Sequence, residues 1–165
     1  MFKLKSISTE GIPEAIGKAE RYRLLNEPRL AESICLDILE ADPDNNEAVI
    51  IMLLSITDQF SRSSSAGINE AKQLVTKLKS DYDKFYYSGI ICERQGKAVL
   101  NKDSIGSHFT AYEWLREAME FYEKAEAIRP SNNDDSILRW NTCARLIMRS
   151  NLKPRGEDRM EPLLE

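Results

Sequence analysis

The run Ala31-Glu32-Ser33-Ile34-Cys35-Leu36-Asp37-Ile38-Leu39-Glu40-Ala41-Asp42-Pro43 is echoed by Ala118-Met119-Glu120-Phe121-Tyr122-Glu123-Lys124-Ala125-Glu126-Ala127-Ile128-Arg129-Pro130. Each of Ala31, Cys35, Ile38 and Pro43 has a counterpart 87 residues later, and the echo continues through Asn45/Asn132 and Asn46/Asn133. A small residue, a bulky one and a small-to-medium one fall at i, i+4 and i+7, which is one face of a helix. The small residue lets a second helix come close, and the large one fills the next groove. Proline then closes each helix, because it cannot extend one inward.

Working outward, the same helical period runs almost end to end. It predicts helices over 13–25, 27–41, 46–59, 68–79, 83–95, 108–128 and a last one to 149. Asn26 is expected to cap the second helix, with Pro28 in its first turn, and Asn133 to cap the last. Ser80-Asp81 supplies the cap for the fifth. Residues 61–67 read as a polar loop. No alternating segment of strand length stands out, so the expected class is all-α.

The 165 residues are 42% apolar and 30% charged, which excludes a disordered chain. Lys plus Arg is 23 and Asp plus Glu 27, a net charge of -4. A nucleic-acid grip is not expected, because it rests on clustered positive charge. The longest apolar run, 48–56, is too short to span a bilayer, and the first ten residues hold no apolar signal core. Cys35, Cys92 and Cys143 lie far apart, without Cys-x-x-Cys spacing. They read as buried thiols in a reducing cytoplasm, with no disulfide frame and no metal site.

Further stretches carry a family likeness. In the first hairpin Ala19 takes a small place, Tyr22 an aromatic place and Asn26 a left-handed turn. Residues 84–97 repeat the pattern, with Gly89 as the small residue and Gly96 as the turn between helices. With the Ala31 and Ala118 runs, this spacing resembles the tetratricopeptide repeat, a helix-turn-helix unit of about 34 residues. The resemblance implies an α-α superhelix of three units over 12–45, 46–81 and 82–131, with 133–149 as a capping helix. The implied plan is an N-terminal segment over 1–11, one repeat domain over 12–150 and a flexible tail over 151–165. In the cap, Ile137, Trp140, Ala144 and Ile147 would form the apolar face. The middle unit lacks the proline, and its second helix fits either Gly67/Ala71 or Ala71/Val75. The third unit holds roughly 17 extra residues between Gly96 and Ala118 compared with the family's spacing.

Catalytic constellations are not evident. The single histidine, His108, stands at a loop-to-helix boundary beside Ser107, and adjacency is not a triad. No P-loop, Gly-x-Gly-x-x-Gly or His-Glu-x-x-His is present. Glu113/Glu117 reads as a solvated face, and Asp134/Asp135 as partners of a helix N-terminus. Arg139, Arg145, Arg149, Lys153, Arg155 and Arg159 make the C-terminal end locally basic. That basicity fits helix-end complementarity and solubility, or a weak patch for an anionic partner.

The resemblance implies a concave groove lined by the first helix of each unit. It would hold Ile16, Glu20 and Arg23 from the first, Ile50, Leu54 and Thr57 from the second, and Tyr86, Ile90 and Glu93 from the third. Such a groove grips a helix or extended peptide by apolar burial, with charges setting its direction. Ile50 and Leu54 could equally be core. The family's clamp for C-terminal carboxylates is missing, since Glu20 and Asp83 would repel an acidic terminus. The insertion over 98–114 carries Phe109, Tyr112 and Trp114. It reads either as an extension of both helices of a hairpin or as a second contact surface.

The expected function is therefore a non-enzymatic adaptor or scaffold for another protein or peptide, without cofactor, nucleic acid or membrane. Alternatives are a dedicated secretion-type chaperone holding a client segment, or a regulator or enzyme using the 98–114 insertion. Both monomer and homodimer fit the sequence.

Overall fold

The computed structural model describes residues 1–62 and 66–156. Among them are seven α-helices, one 3-10 turn over Thr9–Gly11 and no strand. The protein is all-α. The helices are α1 (Ile12–Leu24), α2 (Pro28–Ala41), α3 (Asn46–Thr57), α4 (Ala66–Thr76), α5 (Asp81–Lys102), α6 (Ser107–Ala127) and α7 (Asp135–Arg149). The stretch expected as one domain over 12–150 divides into two compact units, Met1–Lys84 and Phe85–Glu165.

In the first unit α1 packs on α2, α2 on α3 and α3 on α4, and α1 also reaches α3. Asn26 turns the chain between α1 and α2 with φ 61°, the left-handed conformation that asparagine tolerates. It does not cap α2, whose N-cap is Glu27, with no side-chain cap bond. Asn45 does cap α3, its Oδ1 accepting from the Ala48 N–H at 3.0 Å. Eight of the twelve residues of α3 are buried, so this helix runs through the middle of the unit. Its polar members are satisfied along the helix. Ser55 Oγ donates to the Ile51 carbonyl at 2.7 Å, and Thr57 Oγ1 to the Leu54 carbonyl at 2.8 Å. In α4, Ala71 and Leu74 are buried, and Leu78 just beyond it is buried too, while Val75 is half-buried. Ala66 and Gly67, expected in a loop, already belong to this helix, and residues 63–65 of that loop lie outside the described residues.

In the second unit α5 and α6 form a hairpin that meets at Gly89 and Gly96, and α7 packs on α6. α5 corrects the sequence reading. It was expected to end at Gln95 and turn at Gly96, yet it runs unbroken to Lys102. Gly96 does not have a left-handed φ; the turn comes at Asp103 (φ 45°) and Gly106 (φ 78°). Gly96 instead gives room to α6. A methyl group there would stand 3.1 Å from Leu115 Cγ and 3.2 Å from Trp114 Cβ. The extra residues thus lengthen both helices, which is the extended-hairpin reading of 98–114. Ser80 Oγ caps the start of α5 by accepting from the Asp83 N–H at 3.0 Å.

The 87-residue echo coincides with burial. Ala31, Cys35, Ile38, Ala118, Tyr122 and Ala125 are all 0% exposed. Beyond the prolines the echoed asparagines do different work. Asn132 is a left-handed turn residue with φ 64°, whereas Asn45 is a cap. Asn133 Oδ1 accepts from the Asp135 N–H at 3.0 Å, so it serves the start of α7 as expected, although Asp134 holds the N-cap position. The tail was expected to be unpacked from 151. Within the described part, Leu152 is buried and Arg155 reaches Glu113 Oε1 and Thr110 Oγ1, each at 3.3 Å. The remainder of that expectation, 157–165, lies outside the described residues.

Candidate functional site

In the first unit, the expected groove residues fall on one stripe of α1 and one of α3. Ile16, Glu20 and Arg23 follow one another at i, i+4 and i+7, as do Ile50, Leu54 and Thr57. Ile16 is half-buried against the cluster of Ile12, Ile38 and Ala48, and Glu20 is exposed. Arg23 is engaged within the unit, with Nε donating to Asp58 Oδ2 at 2.7 Å and Nη2 to Oδ1 at 3.3 Å. Thr57 is 2% exposed and points its hydroxyl back at its own helix, so it offers a partner nothing. Ile50 and Leu54 are half-buried. With Glu47 and Asp58 they form a stripe of α3 and its C-cap that is not fully buried, and Asn46 in the first turn is half-buried too.

The second unit differs more from the expectation. Ile90 is core, at 1% exposure. Glu93, expected to orient a ligand in the groove, is 0% exposed and is the centre of an internal cluster. Its Oε2 accepts from the Tyr122 hydroxyl at 2.6 Å. Its Oε1 accepts from Lys97 Nζ at 2.5 Å and from Arg139 Nη1 at 3.3 Å. One carboxylate thus joins α5, α6 and α7. A buried charge is tolerated only when paired and hydrogen-bonded, and here both oxygens are occupied. Tyr86 belongs to the same cluster. Its ring is half-buried, 5.9 Å from that of Tyr122, and its hydroxyl meets the Arg139 guanidinium.

Electrostatics keep Tyr122, Tyr86 and Arg139 in their ordinary charge states. Burial, and then the adjacent Glu93 charge, push the Tyr122 phenol well above its usual value, so it stays a donor. Burial likewise raises Tyr86. Burial works against the Arg139 charge, but the Glu93 carboxylate, the hydrogen bond to Tyr86 and the nearby Tyr86 and Tyr122 hydroxyls together outweigh it, so the guanidinium titrates higher than usual. The cluster holds a fixed arrangement and exposes no activated nucleophile. Among the described residues no set of His, Cys, Asp and Glu could hold a metal ion. His108 Nε2 lies 3.7 Å from Asp103 Oδ1, on the exposed turn of the hairpin.

The three cysteines are free thiols, all of them buried. Cys35 and Cys143 are each raised from 9.0 to about 12, by burial first and then by Glu32 and Glu93 respectively. A thiol raised in the folded state contributes stability that is complete below its unfolded value and is lost as pH rises through the folded one. Stability is therefore expected to fall between pH 9 and 12. Denaturant midpoints measured across that window check it, and Cys35→Ala should shallow the decline. At pH 8, iodoacetamide should label Cys35 and Cys143 only as fast as the protein opens.

Phe109, Tyr112 and Trp114 are all half-buried. Phe109 packs beneath the Arg155 guanidinium, 5.8 Å from the ring centre, and Trp114 lies along the α5–α6 contact at Gly96. In α7 the expected face of Ile137, Trp140, Ala144 and Ile147 is half-buried, and the fully buried positions are Ser136 and Cys143. Trp140 Nε1 donates to Glu123 Oε1 at 2.9 Å, tying α7 to α6.

No family model, curated protein or solved structure matches the chain. No helix among the described residues is long and apolar enough to cross a membrane.

Proposed function

We propose that the chain is a non-enzymatic, tetratricopeptide-like module that binds a helix or extended segment of another protein. The observation that carries the reading is the α3 stripe of Ile50 and Leu54. Two large aliphatic side chains remain only partly covered on a helix that has eight of its twelve residues buried. Beside them stand Ile16 and the exposed Glu20 of α1, a helix in contact with α3. The recurrence of small and bulky buried residues at Ala31/Cys35/Ile38 and Ala118/Tyr122/Ala125 supports the hairpin repeat.

Completing the burial of one aliphatic side chain would contribute up to roughly 1.5–3 kcal/mol, so a few such contacts suffice for a specific complex. Glu20 would favour a basic residue beside the apolar anchor. Thr57, Ile90 and Glu93 drop out of the binding set because they are buried.

Affinity purification from the native cell, repeated with Glu20→Arg and with Leu54→Lys, tests the reading. Partners of the parent chain should be lost from both variants while far-UV circular dichroism stays unchanged. Retention of the same partners at the same yield overturns the assignment of this face.

A further inference from the structure

The basic stretch near the C-terminus is divided by the fold into separate roles. Arg139 serves Glu93, and Arg155 serves Glu113. Arg145 and Arg149, one turn apart on α7, are exposed and have no ion-pair partner among the described residues. They border a cleft between the C-terminal half of α5 and α7, of about 410 Å³, lined by Lys97, Leu100, Asn101, Thr142, Arg145, Leu146 and Arg149. Three cationic side chains line it with no carboxylate among them.

Like charges one turn apart on a helix repel, so nothing in α7 itself favours bringing them together. Lys97 lies at the inner side of this arrangement. Its ammonium is held by buried Glu93 at 2.5 Å, yet the side chain remains 36% exposed. Glu93 is matched by Lys97 and Arg139 together, so the charges of Arg145 and Arg149 are not offset there. Guanidinium groups present planar donor forks that match phosphate oxygens. Leu100 and Leu146 add apolar wall, and the volume falls within the range of small-ligand sites.

We propose that this cleft binds a small phosphorylated molecule, with its phosphate between Arg145 and Arg149 and its apolar part against Leu100 and Leu146. Asn101 and Thr142 stand in the same wall as further polar partners. The site is independent of the protein-binding face, which uses none of these residues.

The test is titration of the full chain with phenyl phosphate, read by amide chemical shifts at constant ionic strength. Inorganic phosphate, benzoate and sodium chloride form the comparison arms. Phenyl phosphate should saturate, with shifts centred on Lys97, Leu100, Arg145 and Arg149. Inorganic phosphate should bind the same residues more weakly, and benzoate more weakly than phenyl phosphate.

Arg145→Gln/Arg149→Gln should weaken binding by about tenfold or more, and Arg145→Lys/Arg149→Lys by less, because charge is kept and the fork lost. Arg62→Gln, in the other unit, should change nothing. Three outcomes overturn the proposal: sodium chloride giving the same shifts, benzoate binding as tightly as phenyl phosphate, or the double Gln variant keeping full affinity.

Discussion

Replacing Lys97 by Met together with Arg139 by Leu should lower the stability of the protein by about 3–5 kcal/mol, as read by urea unfolding followed at 222 nm. Met keeps most of the Lys97 stem and Leu the apolar base of Arg139, while the pair removes both cations that Glu93 faces and, with Arg139, the partner of the Tyr86 hydroxyl. Glu93 is 0% exposed, so its carboxylate has no route to bulk water in the folded state. With both cations gone, only the Tyr122 hydroxyl remains bonded to it. Lys97 and Arg139 are themselves 36% and 34% exposed, so each single replacement should cost less than the pair. Adding Glu93→Gln to the double variant should recover about half of the loss or more, because a neutral amide is far cheaper to bury than an unpaired carboxylate. A loss below about 1 kcal/mol in the double variant would show that the carboxylate is hydrated despite its burial.

The same cluster shows where the sequence is readable and where it is not. Helices were legible because their apolar period is local, and the left-handed turn at Asn26 because few residues adopt that conformation. Gly96 was misread because glycine serves two purposes. It ends helices, and it also makes room for a crossing helix; only Leu115 and Trp114, about 20 residues on, reveal which one applies.

Glu93 was misplaced because the repeat resemblance sets it on a groove-lining helix, where a carboxylate would face a ligand. The signal that places Glu93 inside is its position on the stripe Gly89-Glu93-Gly96, which is the close-packed face of α5. Its partners Tyr122 and Arg139 lie 29 and 46 residues away, beyond any local pattern. The α5–α7 cleft was out of reach in the same way. Arg145 and Arg149 are visible as a basic pair, whereas their meeting with Lys97 and Leu100 depends on how two helices dock.

Tyr122→Ala should cost about 3–5 kcal/mol, the range for emptying a large aromatic site. Tyr122 is the largest fully buried side chain among the described residues, and its removal leaves a cavity beside Glu93 as well as an unfilled oxygen on that carboxylate. Its ring is why Gly89 is glycine. A methyl group at Gly89 would stand 2.7 Å from Tyr122 Cδ1 and 2.9 Å from Cζ, closer than carbon atoms pack. Gly89→Ala alone should therefore destabilise by about 1–3 kcal/mol, even though alanine favours a helix by about 1 kcal/mol over glycine. In the Tyr122→Ala background the clash is gone and the helix preference remains, so Gly89→Ala should become neutral or stabilising. That reversal of sign, measured as a double-mutant cycle, separates a steric cause from any effect of Gly89 on α5 alone. If Gly89→Ala costs the same in both backgrounds, the helices do not meet at this point. Tyr122→Phe keeps the ring and removes the hydroxyl. It should preserve the full penalty of Gly89→Ala while costing about 1–2 kcal/mol itself, through the lost bond to Glu93.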